Sequence, residues 1–324
     1  MKAIRIERHG GPEVLGVREL PGREAGPGEV RLAVTHVGLN HLDVWVRRGV
    51  PGHDFHLPRV PGSDVAGIVD GRPVVLHPSW GCGQCTACLR GHQNHCRDFK
   101  IRGESADGGC ATELVVPSWM CLPVPDGLDL PGAASLPLAL LTAWHMLHAR
   151  ARIVSGERVL VQAGASGVGV MAIQVARAHG CEVHATASNE AKRAAIAAIG
   201  ATPWPYDKVG VREVDVVVET VGTPTWAASM KALRWGGRLV CCGATGGHEV
   251  PLNLRALFFK QVDVLGSTMG TSGDMLAAWA AVTRGQVRPL VHAVRPMSRL
   301  GDAHAMLERR EVIGKVVVEQ DLDG

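Results

Sequence analysis

Short apolar runs rich in β-branched residues alternate with helical stretches through the second half of the chain. Five such runs can be read from the sequence, at residues 158–162, 182–186, 214–219, 238–242 and 262–266. Strands that alternate with helices in this way are typical of a parallel sheet in which helices form the crossovers. The pattern predicts an α/β domain with a doubly wound parallel sheet.

The first part of the chain, before residue 128, follows a different pattern. Its strand-like segments are separated by Pro and Gly clusters, and they lie at 2–8, 30–39, 64–69, 73–77 and 110–116. The dipeptide Asp70-Gly71 stands between two of these segments, and Asp-Gly favours the tight primed turns that close β-hairpins. This part of the sequence predicts an antiparallel, barrel-like domain.

Composition and charge narrow the class of protein. A chain of 324 residues with 46% hydrophobic content exceeds the usual size of one compact core, which favours two domains. The formal net charge of +3 comes from acids and bases scattered along the chain, so nucleic acid is not an expected partner. No segment reaches the roughly 18 uncharged apolar residues of a membrane span. We therefore expect a soluble cytoplasmic protein without a membrane partner.

Four of the nine cysteines cluster between positions 82 and 96. They are Cys82, Cys85, Cys88 and Cys96, with the spacing Cys-x2-Cys-x2-Cys-x7-Cys. Four thiolates this close in sequence can surround one zinc ion tetrahedrally at about 2.3 Å per Zn–S bond. Because four sulfurs leave no position for substrate, the predicted role of the zinc is structural. An iron–sulfur cluster and four unliganded thiols are the alternatives.

A glycine-rich segment, residues 162–169, follows the first predicted parallel strand and opens a helix. In this context Gly164 permits a tight turn, Gly167 lets the backbone approach a pyrophosphate, and Gly169 lets the helix pack on the strand. The helix N-terminus then faces the anion. A loop that serves packing alone is the alternative. The dinucleotide contacts predicted here are Gly164, Ser166, Gly167, Val168 and Gly169.

The residues at the end of the second parallel strand indicate whether a protein of this kind binds NAD or NADP. A carboxylate there binds the ribose 2′-hydroxyl of NAD and would repel a 2′-phosphate. Ala187 and Ser188 occupy this position, and Glu190 follows in the first turn of the next helix, where an acid is ordinary. Lys192 and Arg193 are nearby cations. The sequence favours NADP(H), with Ser188 and Lys192 as contacts, and NAD(H) is the alternative.

Taken together, these features resemble the medium-chain dehydrogenase/reductase superfamily, which includes the zinc-type alcohol dehydrogenases and the quinone reductases. The resemblance implies a GroES-like β-barrel catalytic domain formed by residues 1–127 and 270–324, and a Rossmann domain inserted at residues 128–269. It also implies a homodimer that pairs through the last Rossmann strand, at 262–268. The segments that carry the resemblance are residues 1–5, 11–15, 38–49, 61–67, the cysteine cluster, 141–144, the glycine-rich segment and 314–318.

The chain departs from the alcohol dehydrogenase pattern where that pattern holds a catalytic zinc. The ligands there are a cysteine, a histidine with an adjacent glutamate, and a second cysteine. The corresponding residues here are Asn40, Ser63 with Asp64, and Leu138. None of the three ligands is present in this sequence.

Other positions match the zinc-free quinone reductases within the same superfamily. Asn40 and Asp43 fit that pattern, and Thr142 matches a threonine that lies near the nicotinamide. Tyr206 and Lys192 fall where zinc-free members contact the adenosine phosphate. The resemblance therefore also favours NADP(H), together with one structural zinc ion per chain.

These departures bear on the reaction. Oxidising a simple alcohol requires an alkoxide to be stabilised, which zinc does as a Lewis acid. Hydride delivery to an enone or quinone spreads charge onto a conjugated oxygen, which a few oriented hydrogen-bond donors can stabilise. We therefore expect an NAD(P)H-dependent reductase of a quinone or α,β-unsaturated carbonyl that works without a catalytic zinc.

The candidate catalytic residues lie around position 40. Asn40 is expected to present its amide near the substrate carbonyl, and the proton comes from solvent or an unassigned side chain. Asp43 is either a proton relay or a brace for its loop, and Ser63 is either a donor to substrate or a small filler. His41 is a candidate acid or metal ligand, since histidine titrates near neutrality, and a structural role is its alternative.

Two other functions remain open from the sequence. One is a zinc-type alcohol dehydrogenase acting on alcohols or aldehydes, with the metal held by unusual ligands such as His41 and Asp64. The other is a cofactor-binding redox sensor with little catalytic activity.

Overall fold

The computed structural model describes residues 1–322. The chain divides into two compact units, one formed by Met1–Leu138 with the C-terminal segment from Pro289, and one formed by Ala139–Arg288. Both ends of the chain thus belong to the first unit. The domain limits at 127/128 and 269/270 stay a prediction, and the compact units have their borders at 138/139 and 288/289.

The N-terminal part of the first unit is mainly β-structure. Its helices are His41–Arg48 (α1), Thr86–Leu89 (α2) and Leu130–Ala134 (α3). Its strands are Lys2–Ile6 (β1), Leu15–Glu19 (β2), Glu29–Gly38 (β3), Asp64–Val69 (β4), Arg72–Leu76 (β5), Ser79–Trp80 (β6), Lys100–Ile101 (β7), Glu113–Pro117 (β8) and Cys121–Pro123 (β9).

The second unit alternates strands and helices. Its helices are Pro137–Trp144 (α4, which begins in the first unit), a π-helix at His145–Arg150, Gly167–Ala178 (α5), Glu190–Ala198 (α6), Thr223–Ala232 (α7), Leu254–Lys260 (α8) and Ser272–Thr283 (α9). Its strands are Arg158–Val161 (β10), Glu182–Thr186 (β11), Thr202–Trp204 (β12), Val214–Glu219 (β13), Leu233–Cys241 (β14) and Asp263–Gly266 (β15).

The sheet of the second unit is parallel, with the strand order β12-β11-β10-β13-β14-β15. This is the order of the Rossmann fold. Val159, Leu160 and Val161 of the central strand β10 are completely buried, as expected for a strand covered by helices on both faces. The prediction of a doubly wound parallel sheet is confirmed. The sequence did not predict β12, since a three-residue edge strand containing Pro203 carries little strand signal.

The C-terminal segment completes the sheet of the first unit. It contributes the strands Val291–Pro296 (β16) and Lys315–Glu319 (β17) and the helix Leu300–Glu308 (α10). The seven-stranded sheet has the order β16-β17-β3-β4-β5-β9, and β8 also pairs with β3. Its pairs are antiparallel except β16 with β17. The last strand of the chain therefore lies inside the sheet, beside β3.

The Asp70-Gly71 turn has the predicted geometry. Val69 pairs with Arg72, and Asp70 and Gly71 have φ angles of 48° and 75°. Two successive left-handed residues define a type I′ turn, whose twist matches the strands on either side. A short turn here fixes the register of β4, and the first residue of β4 is Asp64.

Within residues 1–322, no helix has the length and apolar character needed to cross a membrane.

Candidate active site and metal lobe

Three neighbouring strands of the first unit bring a small polar cluster together. In the order β17-β3-β4, Gly38 at the end of β3 pairs with Val317 on one side and with Asp64 on the other. Asn40 follows β3 by two residues, and Lys315 precedes Val317 by two. Lys315, Asn40 and Asp64 therefore meet at one end of the sheet.

The three side chains form a closed hydrogen-bonded network, called here the Lys315 cluster. The Lys315 ammonium donates to Asn40 Oδ1 at 2.6 Å and to Asp64 Oδ2 at 2.9 Å. Asn40 Nδ2 donates to Asp64 Oδ2 at 3.0 Å. Lys315 is 3% exposed and Asp64 is completely buried. A buried charge is tolerated only when it is paired and hydrogen-bonded, and here each charge satisfies the other.

The fourth contact of the cluster comes from the start of α4. The backbone N–H of Leu138 donates to Asp64 Oδ1 at 2.6 Å. The Asp64 carboxylate therefore accepts from three donors and joins Asn40, Lys315 and Leu138. Asn40, Ser63 with Asp64, and Leu138 are the residues that the sequence places where the alcohol dehydrogenase pattern holds its zinc. Hydrogen bonds join Asp64 to Asn40 and to Leu138, and Ser63 precedes Asp64.

Asp43 braces the loop on which Asn40 lies. It is completely buried in the first turn of α1, and its carboxylate accepts from the Asn40 N–H at 2.7 Å and from the Gly62 N–H at 2.9 Å. Burial raises the pKa of Asp43 to about 6, against the lowering effect of these two bonds and of Lys315. Since both oxygens are engaged by backbone, bracing is the role its contacts favour. The proton-relay alternative stays a prediction.

Ser63 and His41 adjoin the cluster without joining its hydrogen bonds. The Ser63 hydroxyl is completely buried and has no partner within residues 1–322. Such a group is costly unless a bound molecule or water satisfies it, which agrees with a role as donor to substrate. His41 begins α1, and burial, then Arg310 and Lys315, lower the pKa of its imidazole. Its surroundings therefore favour the neutral imidazole.

The sulfur atoms of Cys82, Cys85, Cys88 and Cys96 all lie within 4.8 Å of one another. Cys88 and Cys96 are buried, and the Cys82 and Cys85 N–H groups donate to sulfurs of the cluster at 3.4 Å. Backbone N–H groups of Gln84 and Cys85 lower the pKa of Cys82 to about 7. Burial raises the pKa of Cys88 to about 12, so without an ion the four thiols differ in acidity. The convergence of four sulfurs is what fits a tetrahedral ion. No other group of three or more His, Cys, Asp or Glu residues in the part of the chain described here converges in this way.

The glycine-rich segment connects β10 to α5, as its sequence predicts. A Cβ on Gly169 would lie 2.3 Å from the Ala163 carbonyl oxygen, so helix and loop approach as closely as glycine allows. Ser166 is the N-cap of α5 and accepts from the Gly169 N–H at 3.1 Å. The positive end of this helix suits a phosphate group. The residue predictions for this loop, including Gly167 and Val168, remain untested.

One detail of this loop differs from the sequence-based expectation. The left-handed residue of the turn is Ala163, with a φ of 52°, and Gly164 is needed for space instead. A Cβ on Gly164 would lie 2.7 Å from the Ala185 Cβ. The glycine motif identifies the loop correctly, but it does not show which residue carries the backbone strain.

The end of β11 presents an exposed Ser188, followed by helix α6 with Asn189 as its N-cap. The Glu190 carboxylate is paired with the Arg193 guanidinium at 2.8 Å. The nearest acid to the strand end is therefore already neutralised by a cation of its own helix. Lys192 is half-buried on α6, and Tyr206 is 38% exposed just after β12.

Thr142 lies on α4 in the second unit and is 5% exposed. Its hydroxyl lies 3.9 Å from the Met269 sulfur. The prediction that Thr142 lies near a nicotinamide stays a prediction.

Lys315 is the main site residue that sequence reasoning does not single out. Its signal in the sequence is a lone cation at the start of the apolar run 316–318, which forms a completely buried strand. A cation at a buried position requires a carboxylate partner. That partner is 251 residues away in sequence, so only the fold identifies it.

Comparison with known proteins connects both units to one group of enzymes. Residues 26–126 match the family model of the alcohol dehydrogenase GroES-like domain, and residues 167–284 match that of the zinc-binding dehydrogenases. A rat quinone oxidoreductase is 29% identical over 98% of this chain and 97% of its own length. An acryloyl-coenzyme A reductase of Sulfurisphaera tokodaii is 26% identical over 98% of this chain and its own entire length.

A crystal structure of an NAD-dependent alcohol dehydrogenase resembles the chain in three dimensions. It superposes with a TM-score of 0.94 and 38% identity, covering 98% of this chain and 99% of the other. A quinone oxidoreductase, an acryloyl-coenzyme A reductase and an alcohol dehydrogenase are thus all among the proteins similar to this chain.

Proposed function

Since the chain belongs to the medium-chain dehydrogenase/reductase superfamily, we propose that it is an NAD(P)H-dependent oxidoreductase that reduces a quinone or an α,β-unsaturated carbonyl without a catalytic zinc. The proposal rests on the Lys315 cluster. The similarity to a quinone oxidoreductase and an acryloyl-coenzyme A reductase supports the same substrate class.

The composition of the cluster argues against a second metal. Asn40, Ser63 and Leu138 supply an amide, a hydroxyl and an aliphatic side chain, and the one carboxylate present, Asp64, is bound to the Lys315 ammonium. A divalent ion would have to displace the Lys315 ammonium from Asp64, since an ammonium roughly 4 Å away repels such an ion by about 8 kcal/mol at an effective dielectric constant of 20. The Asp64 carboxylate is therefore already paired with a cation of the protein itself.

The bound nicotinamide dinucleotide would supply the hydride. Lys315 and Asp64 hold the Asn40 amide, while Lys315 contributes positive charge where the substrate oxygen becomes negative. Asn40 Nδ2 donates one hydrogen to Asp64, and it lies 3.5 Å from the Gly38 carbonyl oxygen, which takes the second hydrogen. A hydrogen bond from this amide to substrate would replace the long contact with Gly38. The Ser63 hydroxyl, which adjoins the cluster, has no hydrogen-bond partner among the described residues, and it is the proposed donor to the substrate oxygen.

Residues of the second unit are proposed to hold the dinucleotide. Ser166 and the backbone of Gly164, Gly167, Val168 and Gly169 would receive the pyrophosphate, and Thr142 the nicotinamide. Ser188, Lys192 and Tyr206 would surround the ribose that carries the 2′-phosphate. The close packing at Gly164 and Gly169 is the structural observation that fits this role.

We also propose one zinc ion at Cys82, Cys85, Cys88 and Cys96, where it would stabilise the lobe and take no part in catalysis. The convergence of four sulfurs within 4.8 Å supports this, because a four-sulfur shell has no open coordination position.

A homodimer is proposed through the edge of the parallel sheet. β15 is the last strand of the sheet order, and Phe258 and Phe259 on the adjoining helix α8 are 60% and 61% exposed. Apolar side chains beside an edge strand are typical of sheet-to-sheet pairing. Sedimentation equilibrium would measure the mass of the assembly, and a monomer at micromolar concentration would contradict this proposal.

The reaction is tested by measuring turnover on a panel of quinones, enones and aldehydes with NADPH and with NADH. We expect oxidation of the cofactor with quinones or enones, and slower reaction with aldehydes. Rapid oxidation of simple alcohols with NAD(P)+ would instead favour an alcohol dehydrogenase. This is the second candidate function, because the chain is 38% identical to an enzyme of that kind. Tight cofactor binding without turnover on any substrate would favour the redox sensor.

The proposed NADP(H) preference predicts a selective effect at Lys192. Lys192→Ala is expected to raise the Kd of NADPH by about tenfold and to leave the Kd of NADH within about twofold, since a bond to a phosphate would be lost. Fluorescence titration of both cofactors at one salt concentration measures this. Lys208→Ala is the control, because Lys208 is an exposed cation of the same unit that lines a pocket with Glu190 and Arg193, and Lys192 is not part of that lining. A wild-type protein that binds NADH tenfold more tightly than NADPH would contradict the preference.

A further inference from the structure

The strained residue of the dinucleotide loop is held by one side chain of the neighbouring strand. Ala163 has a φ of 52°, a conformation that costs free energy for any residue with a Cβ. Its N–H donates to Thr186 Oγ1 at 3.1 Å, and the Gly164 N–H donates to the Thr186 carbonyl oxygen at 2.8 Å. Thr186 thus binds two successive N–H groups at the start of the loop.

A chain of buried side chains continues from Thr186 across the ends of three strands. Thr186 Oγ1 donates to Gln162 Oε1 at 2.7 Å, Gln162 Nε2 donates to Ser229 Oγ at 2.9 Å, and Ser229 Oγ donates to Glu219 Oε2 at 2.6 Å. All four residues are completely buried. Gln162, Thr186 and Glu219 lie at the carboxyl ends of β10, β11 and β13, and Ser229 lies on α7.

The Glu219 carboxylate is held by neutral donors. It accepts from the N–H groups of Val221 and Gly222 at 2.8 and 3.0 Å and from the Thr225 hydroxyl at 2.8 Å, in addition to Ser229. A carboxylate with this many donors is fixed in place and can only accept.

The Glu219 carboxylate therefore determines which group donates and which accepts in each hydrogen bond of this buried network. Ser229 has one hydroxyl hydrogen, and it goes to Glu219, so Ser229 must accept from Gln162. The Gln162 amide is thereby oriented with Oε1 toward Thr186. The Thr186 hydroxyl donates its hydrogen to this oxygen, and its own oxygen accepts from the Ala163 N–H. With the opposite amide orientation, Gln162 Oε1 would face a Ser229 hydroxyl that has no second hydrogen to give. Thr186 Oγ1 would then accept from Gln162 Nε2 as well as from the Ala163 N–H, and the Thr186 hydroxyl hydrogen would lose its acceptor.

We propose that Thr186 is a positioning residue for the dinucleotide loop, and that Glu219 orients it through Ser229 and Gln162. The proposal rests on the proposed dinucleotide site and extends it to residues that touch no cofactor. It assigns a role to a buried carboxylate that the reaction does not use. The loop is thereby preorganised, so less free energy is lost when the cofactor binds.

The decisive variant is Thr186→Val, which keeps the shape of the side chain and removes the hydroxyl. We expect the Kd of the preferred cofactor to rise by about tenfold with kcat changed less than twofold, because a loop that binds pyrophosphate acts equally on ground and transition states. Thr186→Ser retains the hydroxyl and should stay within about twofold of wild type. Thr35→Val, the same change at a threonine that donates to the Ala66 carbonyl in the other unit, is the control and should not affect the Kd.

Two further variants separate positioning from simple loss of packing. In the Ala163→Gly background the left-handed conformation carries no Cβ penalty, so the effect of Thr186→Val should shrink to about twofold. Ser229→Ala touches the loop only through Gln162 and Thr186, and it should weaken binding in the same direction by about threefold. Equal effects of Thr186→Val in both backgrounds, or an unchanged Kd in Ser229→Ala, would overturn the proposal.

Hydrogen exchange of the cofactor-free protein provides a test that does not depend on the proposed function. Thr186→Val should speed exchange of the amides of Ala163 and Gly164 by at least about tenfold, with no change in peptides of the other unit. If wild type binds neither NADPH nor NADH, the proposed function fails, while this exchange still decides the positioning. Unchanged exchange in Thr186→Val would overturn the proposal even if cofactor binds.

Discussion

Lys315→Met should be the most damaging single substitution in the first unit. The variant leaves Asp64 as a buried carboxylate without its cation, and breaking a buried pair in this way costs about 3–5 kcal/mol of unfolding free energy. The expected fall in melting temperature is on the order of 10 °C. We expect kcat/KM for the proposed reductase reaction to fall on the order of 100-fold, because Asn40 loses its orientation and the site loses its positive charge.

Two comparisons make this result interpretable. Lys260→Met is the matched control, since Lys260 makes one hydrogen bond, to the Leu233 carbonyl, and has no ion pair among the described residues. It should cost less than about 1 kcal/mol. The double variant Lys315→Met/Asp64→Asn removes both charges and keeps an acceptor for the Leu138 N–H, so it should melt above the single variant while staying inactive. A Lys315→Met protein with wild-type melting and activity would remove the basis of the proposed function.

Cys88→Ala should release the structural metal. Elemental analysis of the purified wild type is expected to give about one zinc ion per chain, and the variant should give close to none, since three sulfurs cannot complete the tetrahedral shell. The segment that carries the four cysteines should unfold when the metal is lost, because the binding of a structural zinc ion supplies the free energy that folds such a segment. Residues 81–97 should then become the first site of proteolysis.

Cys110→Ala is the control for this experiment. Cys110 is also a buried thiol of the first unit, but it lies outside the cluster, so the variant should keep its zinc. Iron instead of zinc in the wild type would indicate the cluster alternative. Two zinc ions per chain would contradict the proposal that the Lys315 cluster binds no metal, and it would favour the alcohol dehydrogenase.

The sequence predicted those features that depend on residues close together in the chain. The turn at Asp70-Gly71, the five main parallel strands and the convergence of four cysteines all follow from local spacing. The glycine motif identified the loop between β10 and α5 because the strand before it and the helix after it were both recognisable.

The remaining features depend on contacts between distant segments. Lys315 meets Asp64 only because β17 and β4 flank β3, and a strand order cannot be read from an apolar run. The orientation of the Thr186 hydroxyl depends on the carboxylate of Glu219, which lies 33 positions later in the sequence. The two side chains are connected through Gln162 and through Ser229 on helix α7. The left-handed conformation of Ala163 also escapes local rules, since alanine is disfavoured there and tertiary hydrogen bonds decide it.

The position of β17 inside the first sheet has a consequence for synthesis of the chain. β3 is made early, yet the strand that covers its edge, and the lysine that pairs with Asp64, are made only after the whole Ala139–Arg288 unit. Until then the nascent protein presents an open strand edge and an unpaired acid, while all elements of the Ala139–Arg288 unit are already available. The Ala139–Arg288 unit can therefore fold first, and the Lys315 cluster can form only after β17 has been made.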